Sequence, residues 1–205
     1  MSIQKRKYRL QARADSQQET RNRIIGATMG LHRQVGPAKT TIADIARNAG
    51  VQRLTVYNHF PTLSDLIGAC QGHFLTLHPP PEVAPGVGRA GALGRLEGAL
   101  LDLYRWYRAN ADMERHIHAD RRTVPELDDL LARTLDPALD RAAGAYASLL
   151  ARSRSNVQAV RALVRLAMDF GTWELLIAQG ASDTDVARLF RRAVEGLVRP
   201  SSRPA

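Results

Sequence analysis

Between Thr41 and Phe60 the chain reads Thr-Ile-Ala-Asp-Ile-Ala-Arg-Asn-Ala-Gly-Val-Gln-Arg-Leu-Thr-Val-Tyr-Asn-His-Phe, an order that few folds accommodate. Thr41 with Asp44 three residues on is a helix start, because hydroxyl and carboxylate satisfy orphan backbone N–H groups. Ile42, Ile45, Ala46 and Ala49 follow at the spacing of one helix face. Ala46 is small where two helix backbones must approach closely. Gly50 can take the positive φ of a sharp turn after a helix. A second short helix, from about Gln52 to His59, then buries Val51 and Val56 against Ile42 and Ile45. The result is a helix-turn-helix with Gln52, Arg53, Thr55, Asn58 and His59 pointing away from its core. In such a motif the second helix lies in the major groove of DNA, reading bases while flanking groups hold phosphates. An αα-corner with a solvated polar face leaves the same pattern, so charge has to separate the two.

The charge is uneven. The 205 residues carry 29 Lys and Arg against 20 Asp and Glu, a formal net charge of +9. Residues 1–60 hold eleven of the basic residues and only three of the acidic ones, so nearly all the excess sits in the first third. That asymmetry points to a polyanion partner for this third and a different task for the remainder. The lone Cys70 excludes an intrachain disulfide. Lys5-Arg6-Lys7 is not followed by the apolar run of a secretory signal, and no stretch approaches the ~18 apolar residues of a membrane span. The expectation is a cytoplasmic protein without a membrane partner.

Helix signals recur along the whole chain, and no run reads as a strand. Residues 1–16 are expected as a basic flexible arm (Lys5, Arg6, Lys7, Arg9, Arg13), either reaching a groove or phosphates or serving as a solubilising tail. Ser16-Gln17-Gln18-Glu19 has the form of a capping box opening a helix with Ile24, Ile25, Thr28, Leu31 and Val35 inward, ended by Gly36-Pro37. Thr62 with Asp65 opens another, with Leu66, Ile67, Cys70, Phe74 and Leu77 inward. Residues 78–91 are rich in Pro and Gly and read as a linker. Helices are expected beyond it at about 92–109, 111–122, 125–151, 156–179 and 183–198, with cap spacings at Ser155…Gln158 and Ser182…Asp185 and a break or kink at Pro137. The tail from Pro200 is expected to fray. The fold class is all-α: a three-helix DNA-binding domain at residues 17–77, then a larger helical domain at 92–205.

Residues 17–77 resemble the DNA-binding domain of the TetR/AcrR family of bacterial transcriptional regulators. The resemblance is carried by Thr40-Thr41, Ile42-Ala43-x-x-Ala46, Ala49-Gly50-Val51, Tyr57-x-His59-Phe60, Pro61 and Asp65-Leu66. It implies a homodimer that binds a palindromic double-stranded DNA operator and releases it when a small-molecule effector binds the larger domain. It implies that Thr41 holds a phosphate, that Tyr57 and His59 meet the DNA backbone, and that Gln52, Arg53, Thr55 and Asn58 face base edges. The chain departs from the family pattern in having Gln52 and Leu54 where a small residue and a glycine are usual, and Leu63 where a phosphate-contacting lysine is common. Leu54 therefore either touches a thymine methyl or packs.

In the second domain, Tyr104, Trp106, Tyr107, Met113, Tyr146, Met168, Phe170 and Trp173 cluster in the middle of the sequence and mark where an effector would sit, with His116 and His118 as polar contacts. Each residue alone is more simply a core residue, and only the set marks a pocket. The last two helices carry apolar stripes, Val160, Leu163, Val164, Ala167, Gly171 and Leu175, then Val186, Leu189, Phe190, Ala193, Val194 and Leu197. Their lengths suit a dimer's four-helix bundle, although both stripes also serve their own monomer. His116 and His118, two apart on a helix, make a poor chelate, so no metal or cofactor is expected. No nucleophile elbow, Gly-rich phosphate loop or spaced zinc ligands mark an enzyme. The competing class is a basic architectural protein that coats DNA without sequence preference.

Overall fold

Gln, Arg, Ala and Glu fill much of residues 2–23, with no glycine or proline, and α1 accordingly runs unbroken from Ser2 to Val35. The computed structural model describes residues 2–86, Gly88 and 90–199, so the tail expected to fray lies outside the described residues. Within them every helix or strand assigned is helical. The segment expected as a flexible arm is the first part of α1. The capping box expected at Ser16 is not a helix start, because the helix formers upstream keep the chain helical; the Ser16 carbonyl instead accepts the Thr20 hydroxyl at 3.0 Å.

The described chain divides into two compact units, Met1–Pro79 with Ala119–Leu130, and Pro80–His118 with Leu131–Ala205. In the first, α1 is followed by a 3-10 turn at Pro37–Lys39, then α2 (Ile42–Ala49), α3 (Arg53–His59) and α4 (Leu63–Leu77). Helix α1 packs on α2 and α4, and α2 on α3, around Ile24, Ile25, Ile45, Ala46, Val56, Phe60 and Leu66. Burying each large apolar side chain contributes ~1.5–3 kcal/mol before entropy is counted. The expected box at Thr62 is present, with the Thr62 hydroxyl accepting from Asp65 N and Asp65 accepting from Thr62 N. The 119–130 segment joins this unit through Ala38 N, which donates to Asp120 Oδ2 at 2.9 Å.

The second unit contains α5 (Ala92–Ala109), most of α6 (Ala111–Asp120), the end of α7 (Pro125–Arg133), α8 (Leu135–Leu150), α9 (Arg154–Ala167), α10 (Phe170–Ala178) and α11 (Asp183–Val198). Helices α5, α8, α9 and α11 pack around Leu96, Leu100, Tyr104, Tyr146, Val160 and Val194. Arg95 gathers the linker against α5 by donating to the carbonyls of Pro85, Gly88 and Ala90.

Two expected helices prove to be pairs. Residues 125–151 divide at Thr134, with Pro137 in the first turn of α8, where its missing N–H costs nothing. Residues 156–179 divide at Met168-Asp169, where Asp169 caps α10 by accepting from Thr172 N at 2.8 Å. The cap expected at Ser155 also shifts, since α9 begins at Arg154 with Ser153 before it. The division resets the helical phase. Val160, Val164 and Ala167 stay buried, whereas Gly171 and Leu175 of the same expected stripe are exposed.

Candidate functional site

The helix-turn-helix forms as its residues dictate. Thr41 caps α2 by accepting from Asp44 N at 3.2 Å, and its hydroxyl donates to Asp44 Oδ2 at 2.6 Å. That bond, with Arg47 adding to it, holds the Asp44 carboxyl below its usual range. The Thr41 hydroxyl thus serves the helix start on the exposed end of α2. Gly50 adopts φ 65° and ψ 39°, the left-handed turn that leads into α3. Val56 is fully buried, and Val51 and Ile42 pack beside it.

Of the expected DNA-facing residues, Thr41, Gln52, Arg53, Tyr57 and Asn58 are exposed, while Thr55 and His59 are half-buried on the shoulders of α3. Arg53 bonds to no described residue. Gln52 occupies the N-cap position of α3 without a side-chain bond to the helix. Tyr57 borders a cavity of about 260 Å³ shared with Ile42, Phe60 and Leu63.

Part of the positive charge proves structural, which charge counting did not reveal. The Arg21 guanidinium sits 4.1 Å from the Phe60 ring centroid and donates to the His59 carbonyl at 3.5 Å. Arg23 donates to the Ala49 carbonyl at 3.3 Å, satisfying the end of α2. These two arginines fasten α1 to both helices of the motif, and only the tertiary fold brings them there.

Behind the motif, His32 of α1 is 4% exposed, and burial lowers its pKa to about 4 despite the opposing field of Asp120. Its Nδ1 lies 3.8 Å from the Sγ of Cys70. Burial pushes the Cys70 thiol up to about 12.

In the second unit the expected pocket residues are mostly core. Tyr104, Tyr107, Met113, Tyr146, Met168, Phe170 and Trp173 are buried, and Trp106 and His116 half-buried. Tyr107, Phe170 and Trp173 form a triangle of rings with centroids 5.3–5.7 Å apart. His118 stacks on Phe170 at 5.2 Å, Trp106 lies 5.8 Å from Tyr107, and Tyr104 lies 6.4 Å from Trp173. The Tyr104 and Tyr107 hydroxyls donate to the carbonyls of Ala167 and Met168, where α9 ends. Burial raises both phenols far above the usual tyrosine range. Tyr146 is in none of these ring contacts.

Several polar groups here lack good partners. Asn110 is 4% exposed; its amide N–H donates to the Trp106 carbonyl, which leaves its Oδ1 buried and unpaired among the described residues. Glu114 is buried one turn further on, with His118 Nε2 at 3.6 Å. His116 Nδ1 and the Tyr146 hydroxyl are also buried without partners among the described residues. By contrast Asp183 is well served. Arg108 holds its carboxyl below the usual range, aided by the Trp173 indole N–H at 3.0 Å. Among the described residues no group of three or more His, Cys, Asp and Glu is placed to hold a metal ion, and no helix is long and apolar enough to cross a membrane.

A helix-turn-helix with an exposed polar second helix, in the basic part of an all-helical chain, defines a DNA-binding regulator of transcription. Residues 24–70 match the model of bacterial regulatory proteins of the tetR family. No curated protein matches the chain. The crystal structure of the multidrug binding protein EbrR complexed with imidazole is similar at a TM-score of 0.53 and 20% identity, over 89% of this chain and 92% of that one. A TetR transcriptional regulator from Rhodococcus sp. RHA1 is similar at a TM-score of 0.43 and 20% identity, over 87% of this chain and 96% of that one. At that identity the likeness to EbrR is one of fold.

Proposed function

We propose that the protein is a cytoplasmic repressor, a homodimer that binds a palindromic operator through α3 of each protomer and releases it when a small molecule occupies the second unit. The observation that carries this reading is the outer face of α3, where Arg53, Tyr57 and Asn58 stand exposed on a helix anchored from behind by Val56. Arg53 suits a guanine edge and Asn58 an adenine edge, each worth ~1–3 kcal/mol of discrimination. Gln52 and Thr55 flank them at base level, while Thr41, Tyr57 and His59 meet the backbone. The DNA-binding domain is residues 17–77.

Two half-sites about one helical turn apart, ~34 Å, require two copies of the motif. Leu189 and Leu197 of α11 are 53% and 37% exposed, and with exposed Ala193 between them they form a row one helical turn apart. A second copy would cover that row. The effector belongs beside Tyr107, Phe170 and Trp173, where the Asn110 Oδ1 and the Glu114 carboxylate favour a molecule that donates hydrogen bonds or carries positive charge. EbrR, which shares the fold, is a multidrug binding protein. By linkage, effector and operator weaken each other's binding equally.

The test is fluorescence anisotropy of the full-length protein on its own upstream intergenic DNA and on a shuffled duplex, each at two salt concentrations. A preference for the native duplex that survives higher salt supports the reading. Equal, steeply salt-dependent affinity for both, the behaviour of a coating protein, overturns it.

A further inference from the structure

The outer face of α3 is not polar throughout. An α-helix turns about 100° per residue, so the residue two places before fully buried Val56 lies nearly opposite it. That residue is Leu54, and it is 66% exposed. Tyr57 and Asn58 are its neighbours three and four places on, and Arg53 precedes it, so Leu54 occupies the middle of the exposed face. The sequence left it either packing or touching a base. The structure removes the first choice, because the core cluster behind α3 is built from Ile45, Ala46, Val56, Phe60 and their partners without it.

We propose that Leu54 is a specificity-determining residue that reads the 5-methyl group of a thymine in the major groove. This rests on the reading of the protein as a sequence-specific DNA binder. Thymine carries the one apolar group that a base edge presents in that groove, and a branched aliphatic side chain is its physical complement. Against cytosine the same leucine meets an amino donor that it can only desolvate, so the residue selects as well as attracts. Its place between Arg53 and Asn58 puts the thymine beside the bases those two read. Each half-site of the operator then contains a thymine whose methyl is recognised by an aliphatic group rather than by a hydrogen bond.

Replacing thymine with deoxyuridine removes that methyl and nothing else. The experiment takes the full-length protein and a duplex it prefers over its shuffled counterpart, replaces each thymine in turn, and measures affinity by anisotropy for wild type and Leu54→Ala. At one thymine per half-site, wild type should lose about fourfold, the effect of one methyl-sized burial. Leu54→Ala should bind the thymine and uracil duplexes equally there. Circular dichroism and unfolding of Leu54→Ala exclude a folding defect, which an exposed position makes unexpected. If every thymine shows the same uracil effect in both proteins, the Leu54 assignment falls while the regulator reading stands. If wild type binds native and shuffled duplexes alike, both fall.

Discussion

On the proposed function, single side chains on α3 divide the work of recognition, and their removal should separate it. Arg53 is exposed and bonds to no described residue, so its guanidinium is available to a base edge. Arg53→Ala should reduce the ratio of native to shuffled DNA affinity by roughly ten-fold or more, as loss of a bidentate base contact does. An unchanged ratio would remove Arg53 from the base-reading set. Tyr57→Phe deletes only a hydroxyl on a half-exposed ring and should weaken all duplexes by a similar, smaller factor. His32 makes a different prediction, of pH dependence. Its folded pKa, about 4, lies below the unfolded value near 6.5, so the unfolded chain takes up a proton that the native chain refuses. Stability of the amino-terminal unit is therefore full above the unfolded pKa and falls as pH drops towards the folded one. From pH 7.5 to 5 the loss is about 2 kcal/mol. Hydrogen exchange of α1 and α4 amides, corrected for intrinsic rates, should show this in wild type and much less in His32→Gln.

At the scale of elements, local chemistry was legible wherever a helix end is set by its own residues. The boxes at Thr62 and Ser182 need only two side chains three apart, and both formed where the sequence placed them. Gly50 was legible for the same reason, since no neighbour is required to demand a left-handed turn. Gly50→Ala places a Cβ where the nearest contact beyond the turn is Arg23 Nη1 at 3.8 Å, so the penalty is backbone strain rather than collision. It should cost about 1–2 kcal/mol of stability, visible in thermal unfolding of the amino-terminal unit. What could not be read was context. Ser16 and Glu19 have cap spacing, yet a helix already under way ignores it. The division at Asp169 lies inside a strongly apolar window, and it is stabilised by Tyr104 and Tyr107 reaching the carbonyls at the end of α9 from another helix. The bonds of Arg21 and Arg23 to the motif depend on tertiary contact in the same way. In the candidate pocket the aromatic set was legible, but the unpaired Asn110 Oδ1 and the buried Glu114 carboxylate emerged only with burial.

For the whole molecule, the exposed leucines of the second unit carry the prediction. On the proposed function the chain reads two half-sites and must pair, and Leu189 is exposed on α11. Leu189→Glu should convert the protein to monomer in sedimentation velocity and abolish tight operator binding, while leaving the helical content intact. A dimer that persisted would assign the interface elsewhere. The net charge of +9 sets the salt dependence of every such measurement. Because Arg21, Arg23 and Arg47 are engaged within the fold, the slope should be shallower than a count of basic residues suggests.

The buried pair of Cys70 and His32 also makes the protein a convenient object for labelling. The chain has one thiol, enclosed and held protonated at neutral pH, so alkylating reagents reach it only when α4 parts from α1. Its rate of modification is then a clock for opening of the amino-terminal unit, with and without bound DNA. A second cysteine placed on any exposed helix could carry a fluorophore alone, without first removing the native one.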